Sequence, residues 1–256
     1  MTPADLLLQL GLFAAALVAN LLSALAGGGA GLVQLPVLIL LGLNFPLALA
    51  THKLASVALG IGATLRHARE RSLNPRLAAF ILATGLPGVV LGARVVLALP
   101  PRLCTLMLGL LTIGIGLYSL ANPTLGTTGI RRPLTPGRMV VGGIGLATIG
   151  VLNGSLTSGT GLFVTLWLVR WFGLDYSRAV AYTLILVGLF WNGAGAITLG
   201  SQGQIAWSWL PMLLAGSITG GYLGAHLAIV KGNRLVKRAF ETLSLLMGLS
   251  LLIKSF

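Results

Sequence analysis

Acid is what this chain lacks most. Four of its 256 residues are carboxylates, Asp5, Glu70, Asp175 and Glu241, and none lies deep in an apolar run. Charge of either sign is scarce too, at 8% of residues, where a soluble domain carries about 25%. The single cysteine, Cys104, excludes an intrachain disulfide and reads as a small buried hydrophobe. His52, His67 and His226 are too dispersed for a metal centre, so neither metal nor cofactor is expected. The N-terminus has no basic region before its apolar stretch, so it reads as a retained first helix rather than a signal peptide. Paired aspartates, an HExxH pattern or a Ser/His pair within apolar segments are missing, so an intramembrane enzyme is not expected. No Gly-Lys-Ser/Thr follows the glycines, which excludes a phosphate loop.

What is present is apolar. Hydrophobic residues make up 56% of the chain and mean hydropathy is +0.96. No soluble fold has interior enough for this surface, so the expected class is an all-α polytopic membrane protein. The net charge of +13 falls mainly in short gaps between apolar runs. The positive-inside rule explains that pattern, and basic clusters without interleaved aromatics argue against nucleic acid. A multi-pass protein of a bacterial inner membrane follows as the expectation.

The runs read as Leu6–Ala26, Leu32–Leu41, Ala48–Leu65, Leu77–Leu99, Leu103–Ala121, Met139–Leu152, Leu162–Val169, Ala179–Leu199, Ile205–Val230 and Ala239–Ile253. A helical crossing needs about 20 residues. Leu32–Leu41 and Leu162–Val169 are clearly short, and each follows a glycine-rich stretch. The polar linker "NPTLGTTGIRRPLTPGR", 122–138, separates two halves, 1–121 and 139–256. "LGLNFPLALAT" from Leu41 matches "FGLDYSRAVAYT" from Phe172, and "GVVLGAR" from Gly88 matches "GGYLGAH" from Gly220. Gly42 and Gly173 stand 131 positions apart, Gly92 and Gly224 stand 132 apart, so two homologous repeats are expected. If the short runs cross, ten segments place thirteen basic residues on one side, and five passes per repeat make the repeats inverted. If the short runs are re-entrant, eight segments remain.

Glycines destabilise a helix by about 1 kcal/mol each, and unpaired backbone in lipid is costlier still. "AGGGAG", 26–31, is therefore read as a broken or re-entrant helix buried in protein, with "NGSLTSGTG", 153–161, as its counterpart. Helix-start amides at such breaks suit an anion, and paired broken segments point to a transport site. The candidate substrate-binding residues are Asn20, Gly28, Gly29, Gly31 and Gln34 at the first break, and Asn153, Ser155, Thr157, Ser158, Gly159, Thr160 and Gly161 at the second. Thr51, His52 and Lys53 in "ATHKLAS", with Thr183 and Asn192, complete the set. Lys53 either faces an anion, having no intramembrane acid to pair with, or snorkels to the headgroups. His52 is either a proton relay or a satisfied core histidine. Gly88, Gly92, Gly220 and Gly224 have the spacing of close helix packing.

The stretch "LLSALAGGGAGLVQLPVLILLGLNFPLALATHKLAS" from Leu21 to Ser56 resembles the opening of the sulfite exporter TauE/SafE family. Gly28, Gly29, Gly31, Pro36, Gly42, Ala50 and Thr51 carry the likeness, and Gly154–Thr183 is similar to the family's second copy. The resemblance implies a permease for small anions, mainly sulfite and organosulfonates, working by alternating access. The second turn departs from it, having no triple glycine. The expected function is thus a secondary transporter for small sulfur-containing anions. A non-transporting structural or assembly protein and a permease for another anion, such as a carboxylate, are the alternatives. A homodimer and proton coupling through His52 stay open.

Overall fold

A computed structural model describes residues 3–68, 70, 73–95, 101–130, 132–133, 135–156, 159–201 and 205–255. Its elements are helices: α1 Pro3–Ala26, α2 Ala30–Leu40, α3 Phe45–His67, α4 Pro75–Val95, α5 Pro101–Leu120, α6 Pro136–Leu156, α7 Thr160–Phe172, α8 Tyr176–Tyr182, α9 Asn192–Gly200, α10 Leu210–Lys231 and α11 Asn233–Ser255. A π-helical segment, Thr183–Trp191, joins α8 to α9 without interruption. Proline sets many of the starts. It opens α4, α5 and α6, and it sits in the first two positions of α3 and α10. Its missing N–H costs nothing there, and its fixed φ suits the first helical turn.

Six described helical stretches are long and apolar enough to cross a bilayer: Asp5–Ala26, Leu47–His67, Pro75–Val95, Pro136–Ser155, Tyr176–Gly200 and Leu210–Lys231. The chain is thus an all-α multi-pass membrane protein with six such helices, where eight to ten segments were expected. Three of the other helices fall outside that set for physical reasons. α2 and α7 stop at 11 and 13 residues, each beginning directly after glycine. α11 carries Arg234, Lys237, Arg238 and Glu241 in its first half, which dilutes its apolar character.

Between α1 and α2 the backbone turns through Gly27, Gly28 and Gly29, with φ of 82°, 133° and 103°. A β-carbon on Gly28 would lie 2.5 Å from the Gly161 Cα, so this turn presses backbone to backbone on the start of α7. α1 and α2 fold back on each other, and so do α6 and α7. Trp167 Nε1 donates to Gly142 O at 3.2 Å, and Trp171 Nε1 to Arg138 O at 3.0 Å.

The "GLN" and "GLD" stretches form one local device. Gly42 and Gly173 close α2 and α7 with φ of 104° and 75°. Two residues later Asn44 and Asp175 cap the next helix, accepting from Leu47 N at 3.0 Å and from Arg178 N at 2.9 Å. Left-handed glycine ends a helix, and a short polar side chain starts one. The "GxxxG" stretches pack helices: Gly88 and Gly92 lie against α6 at Ala147 and Val151, and Gly220 and Gly224 against α1 at Leu17 and Leu21.

Many of the basic groups gather at one end of the molecule, while Arg94 stands in the last turn of α4, away from Arg76 at its start. Arg66 Nε donates to His226 Nδ1 at 3.1 Å, joining the ends of α3 and α10. Asn233 accepts from Ser177 N at 2.8 Å and donates to Thr127 O at 2.9 Å, tying α11, α8 and the linker. At the opposite end Gln9 donates to Ser208 O at 3.2 Å, so the starts of α1 and α10 lie together.

Candidate functional site

The middles of α3 and of the Tyr176–Gly200 helix meet the two glycine turns around a cavity of about 30 Å³. By that measure one water occupies about 10–15 Å³, so two or three water-sized spheres fit. The wall brings together Gly28, Gly29, Gly31, His52, Asn153, Thr160, Gly161, Thr183 and Asn192 from the sequence set. No carboxylate lines it. α2 and α7 both start on this wall, and neither has a side-chain cap. The positive ends of two helix dipoles therefore converge on one small space.

Lys53 stands beside this wall, on the turn of α3 between His52 and Ser56. It is fully buried, 0% exposed, and therefore does not snorkel. Its ammonium donates to the carbonyl of Asn153 at 2.9 Å and has no salt-bridge partner among the described residues. Placing a cation at bilayer depth costs about 3 kcal/mol on insertion scales, and one carbonyl offsets only part of that. The bond also links α3 to the end of α6, next to the second glycine stretch. Asn153 in turn donates to Thr160 Oγ1 at 2.8 Å, across from α6 to α7.

Behind the wall runs a buried polar chain. Asn20 Nδ2 donates to Ser217 Oγ at 2.9 Å and to Ala16 O at 2.7 Å, and lies 3.5 Å from Gln34 Oε1. Gln34 Oε1 lies 3.0 Å from His52 Nδ1, and His52 Nε2 lies 3.3 Å from Ser56 Oγ. A carbonyl oxygen can only accept, so Nδ1 carries the proton, and Nε2 accepts from the Ser56 hydroxyl. The chain spans α10, α1, α2 and α3 and ends in the cavity at Ser56. On the other side, Thr165 Oγ1 lies 2.8 Å from Gly27 O and 2.9 Å from Thr183 Oγ1, fastening the first turn to α7 and the π segment.

The remaining sequence candidates stand elsewhere. Asn20 and Gln34 form that second layer. Thr51 points to the outer end of α3, donating to Leu47 O at 2.7 Å and accepting from Ala206 N at 3.0 Å. Ser155 bonds back within α6, to Val151 O at 2.9 Å. Gly159 precedes α7 with φ of 76° and rests on Leu32. Thr157 and Ser158 lie outside the described residues. Sequence reading missed Ser23, Ser56 and Gly188, all on the wall. Ser56 follows His52 by four residues and Ser23 follows Asn20 by three, so helical spacing alone could have added both. After Thr183 the π segment "TLILVGLFW" is uniformly apolar, so Gly188 carried no such signal.

Comparison with known proteins fits this architecture. The family model described as "Sulfite exporter TauE/SafE" matches residues 12–251. A "Probable membrane transporter protein" of Haemophilus influenzae is 31% identical over 236 residues, covering 92% of this chain and 91% of the relative. The "Probable membrane transporter protein YfcA" of Escherichia coli K12 is 28% identical, with 95% and 89% covered. The "Probable membrane transporter protein ORF9" of a Sinorhizobium species is 28% identical, with 94% and 91% covered. No solved structure matches the chain. With nearly its whole length matched by the family model, the chain belongs to the sulfite exporter TauE/SafE family, as a multi-pass membrane transporter and not an enzyme.

Proposed function

We propose that the chain is a secondary transporter that carries small sulfur-containing oxyanions, sulfite or organosulfonates, through the central cavity by alternating access. The observation that carries this reading is Lys53, a wholly buried lysine whose Nζ meets, among the described residues, a backbone carbonyl and no carboxylate. Two uncapped helix starts and a wall of amides and hydroxyls add donors, and a pyramidal oxyanion has three acceptor oxygens to receive them. The sulfur chemistry rests on the family description.

The same reading treats 1–121 and 139–256 as inverted repeats joined by the linker 122–138, with α2 and α7 as the short segments that each follow a glycine break. Three features support it. The Gly-Leu-Asn/Asp device recurs at both α2–α3 and α7–α8. α4 packs on α6 through glycines as α10 packs on α1. At an offset of 131, the Gln34–His52 contact corresponds to Thr165–Thr183. The gathered basic end is then cytoplasmic. Room for two or three waters is tight for a four-atom oxyanion, so this is a closed conformation, and rocking of one repeat against the other opens it.

Flux into proteoliposomes tests the proposal. Sulfite uptake should saturate and be inhibited by methanesulfonate more strongly than by sulfate or acetate. Lys53→Met should lower the specificity constant for flux about ten- to hundredfold, the worth of one charge-assisted contact. Preferred transport of acetate would assign a carboxylate substrate instead, and no saturable flux of any anion would overturn the proposal.

A further inference from the structure

A second cleft lies at the basic end, between the linker and the end of α7. It is larger than the central cavity, about 210 Å³, and is lined by Tyr118, Asn122, Thr124, Thr128, Arg132 and Arg170 among others. Among the described residues its charged lining is two arginines.

The walls are tied in place by backbone bonds. Ile130 N donates to Gly173 O at 2.8 Å, and Tyr176 N donates to Gly126 O at 2.8 Å, so linker and α7–α8 connection form one unit. Arg132 lays its stem along Gly173. Its Nε is buried with no hydrogen-bond partner among the described residues. Desolvation, then the like charges of Arg138 and Arg170, lower the Arg132 pKa from its ordinary value. Arg170 Nε donates to Tyr118 Oη at 2.7 Å, which fixes the plane of the guanidinium.

Neutralising the negative end of α7 does not explain these two cations. Arg138 already takes that role, donating to Trp171 O at 2.6 and 3.1 Å from its Nη2 and Nε. Two acids on this side are not in the cleft lining and have partners of their own: Asp175 caps α8 and pairs with Arg178 at 3.5 Å, and Glu241 pairs with Lys237 at 2.6 Å. Two guanidiniums thus converge on a formed cleft without a carboxylate between them. A guanidinium fork matches two oxygens of a phosphate at once, and the threonine hydroxyls and the Asn122 amide supply neutral polar groups beside it.

We propose that this cleft is a second anion site, separate from the transport cavity, that holds the phosphate of a phosphate-bearing ligand. The phosphate belongs either to an anionic lipid headgroup or to a free organic phosphate. The volume exceeds a bare phosphate and accommodates the adjoining glycerol-sized group. Leu125, Val169 and Leu174 give that group an apolar wall.

The test uses the full-length protein in nanodiscs. Glycerol 3-phosphate is titrated against protein in phosphatidylcholine discs. Native mass spectrometry counts lipid retained from discs doped with phosphatidylglycerol. At least one probe should bind saturably, and the one that does names the source. The double variant Arg132→Gln, Arg170→Gln should weaken it about tenfold or more, while Arg238→Gln, on the exposed side of α11, should not. If the double variant does not fold, Arg170→Lys keeps the charge, loses the fork, and should still weaken binding severalfold. The proposal is overturned by saturable binding of neither probe, by unchanged affinity in these cleft variants, or by equal weakening in Arg238→Gln.

Discussion

At the scale of single residues, the central cavity is organised by α3, whose consecutive His52 and Lys53 serve different neighbours. Lys53 reaches the far side, to the Asn153 carbonyl. His52 bridges the buried chain from Asn20 to the cavity hydroxyl of Ser56. Protonation at Nε2 would turn that nitrogen from acceptor to donor, so the Ser56 hydroxyl would be free to donate into the cavity. We propose on this geometry that His52 couples anion transport to protons. Sulfite flux should then rise as pH falls, and His52→Gln should flatten that profile while leaving measurable flux. A pH profile unchanged in the variant would remove His52 from the coupling. The sequence pointed to Lys53 and His52 because a basic residue inside an apolar run is costly wherever it stands. It could not choose between snorkelling and burial for Lys53. That depended on the depth of α3 in the bundle, which is set by contacts with α10 and the π segment rather than by the flanking residues.

At the scale of elements, the glycines divide into those that form turns and those that let helices touch. Gly28 does the first and also abuts Gly161, so Gly28→Ala meets both an unfavourable φ of 133° and the backbone of α7. It should cost upwards of about 2 kcal/mol, read as a lower melting temperature of the purified protein. Gly114, within α5, has nothing within 4 Å of where a β-carbon would sit. Gly114→Ala should therefore be neutral or raise stability, by up to about 1 kcal/mol from helix propensity. Equal melting temperatures for Gly28→Ala and Gly114→Ala would contradict this division. The interruption after Ala26 and the short length of α2 and α7 were legible because three glycines in succession have no other economical use in lipid. The π segment was not legible. Its nine residues are all compatible with an α-helix, and its wider turn arises where Gly188 lies against Gly60 of α3, backbone to backbone. Such close contact depends on two distant segments meeting, which local pattern does not encode.

At the scale of the whole molecule, the scarcity of acid and the placement of basic residues fit one picture. Apolar helices bury a small polar centre, and many of the basic residues gather at one end. Apolarity alone could not choose between eight and ten segments, since it does not separate a crossing helix from a shorter one that ends inside the protein. The matched motifs read better, because a helix-ending glycine followed by a capping Asn or Asp is a local device, and it follows both α2 and α7. The central claim is that the space between the two glycine turns is a chamber that an anion enters from either face. Thiol accessibility tests it most directly. In a Cys104→Ser background, Ser23→Cys and Ser56→Cys place single thiols on the cavity wall, and a membrane-impermeant thiol reagent is applied to right-side-out and to inverted vesicles. The account predicts labelling of both positions in both vesicle types, slowed by methanesulfonate. Thiols that stay unlabelled from both faces, or label at a rate indifferent to the anion, would contradict it.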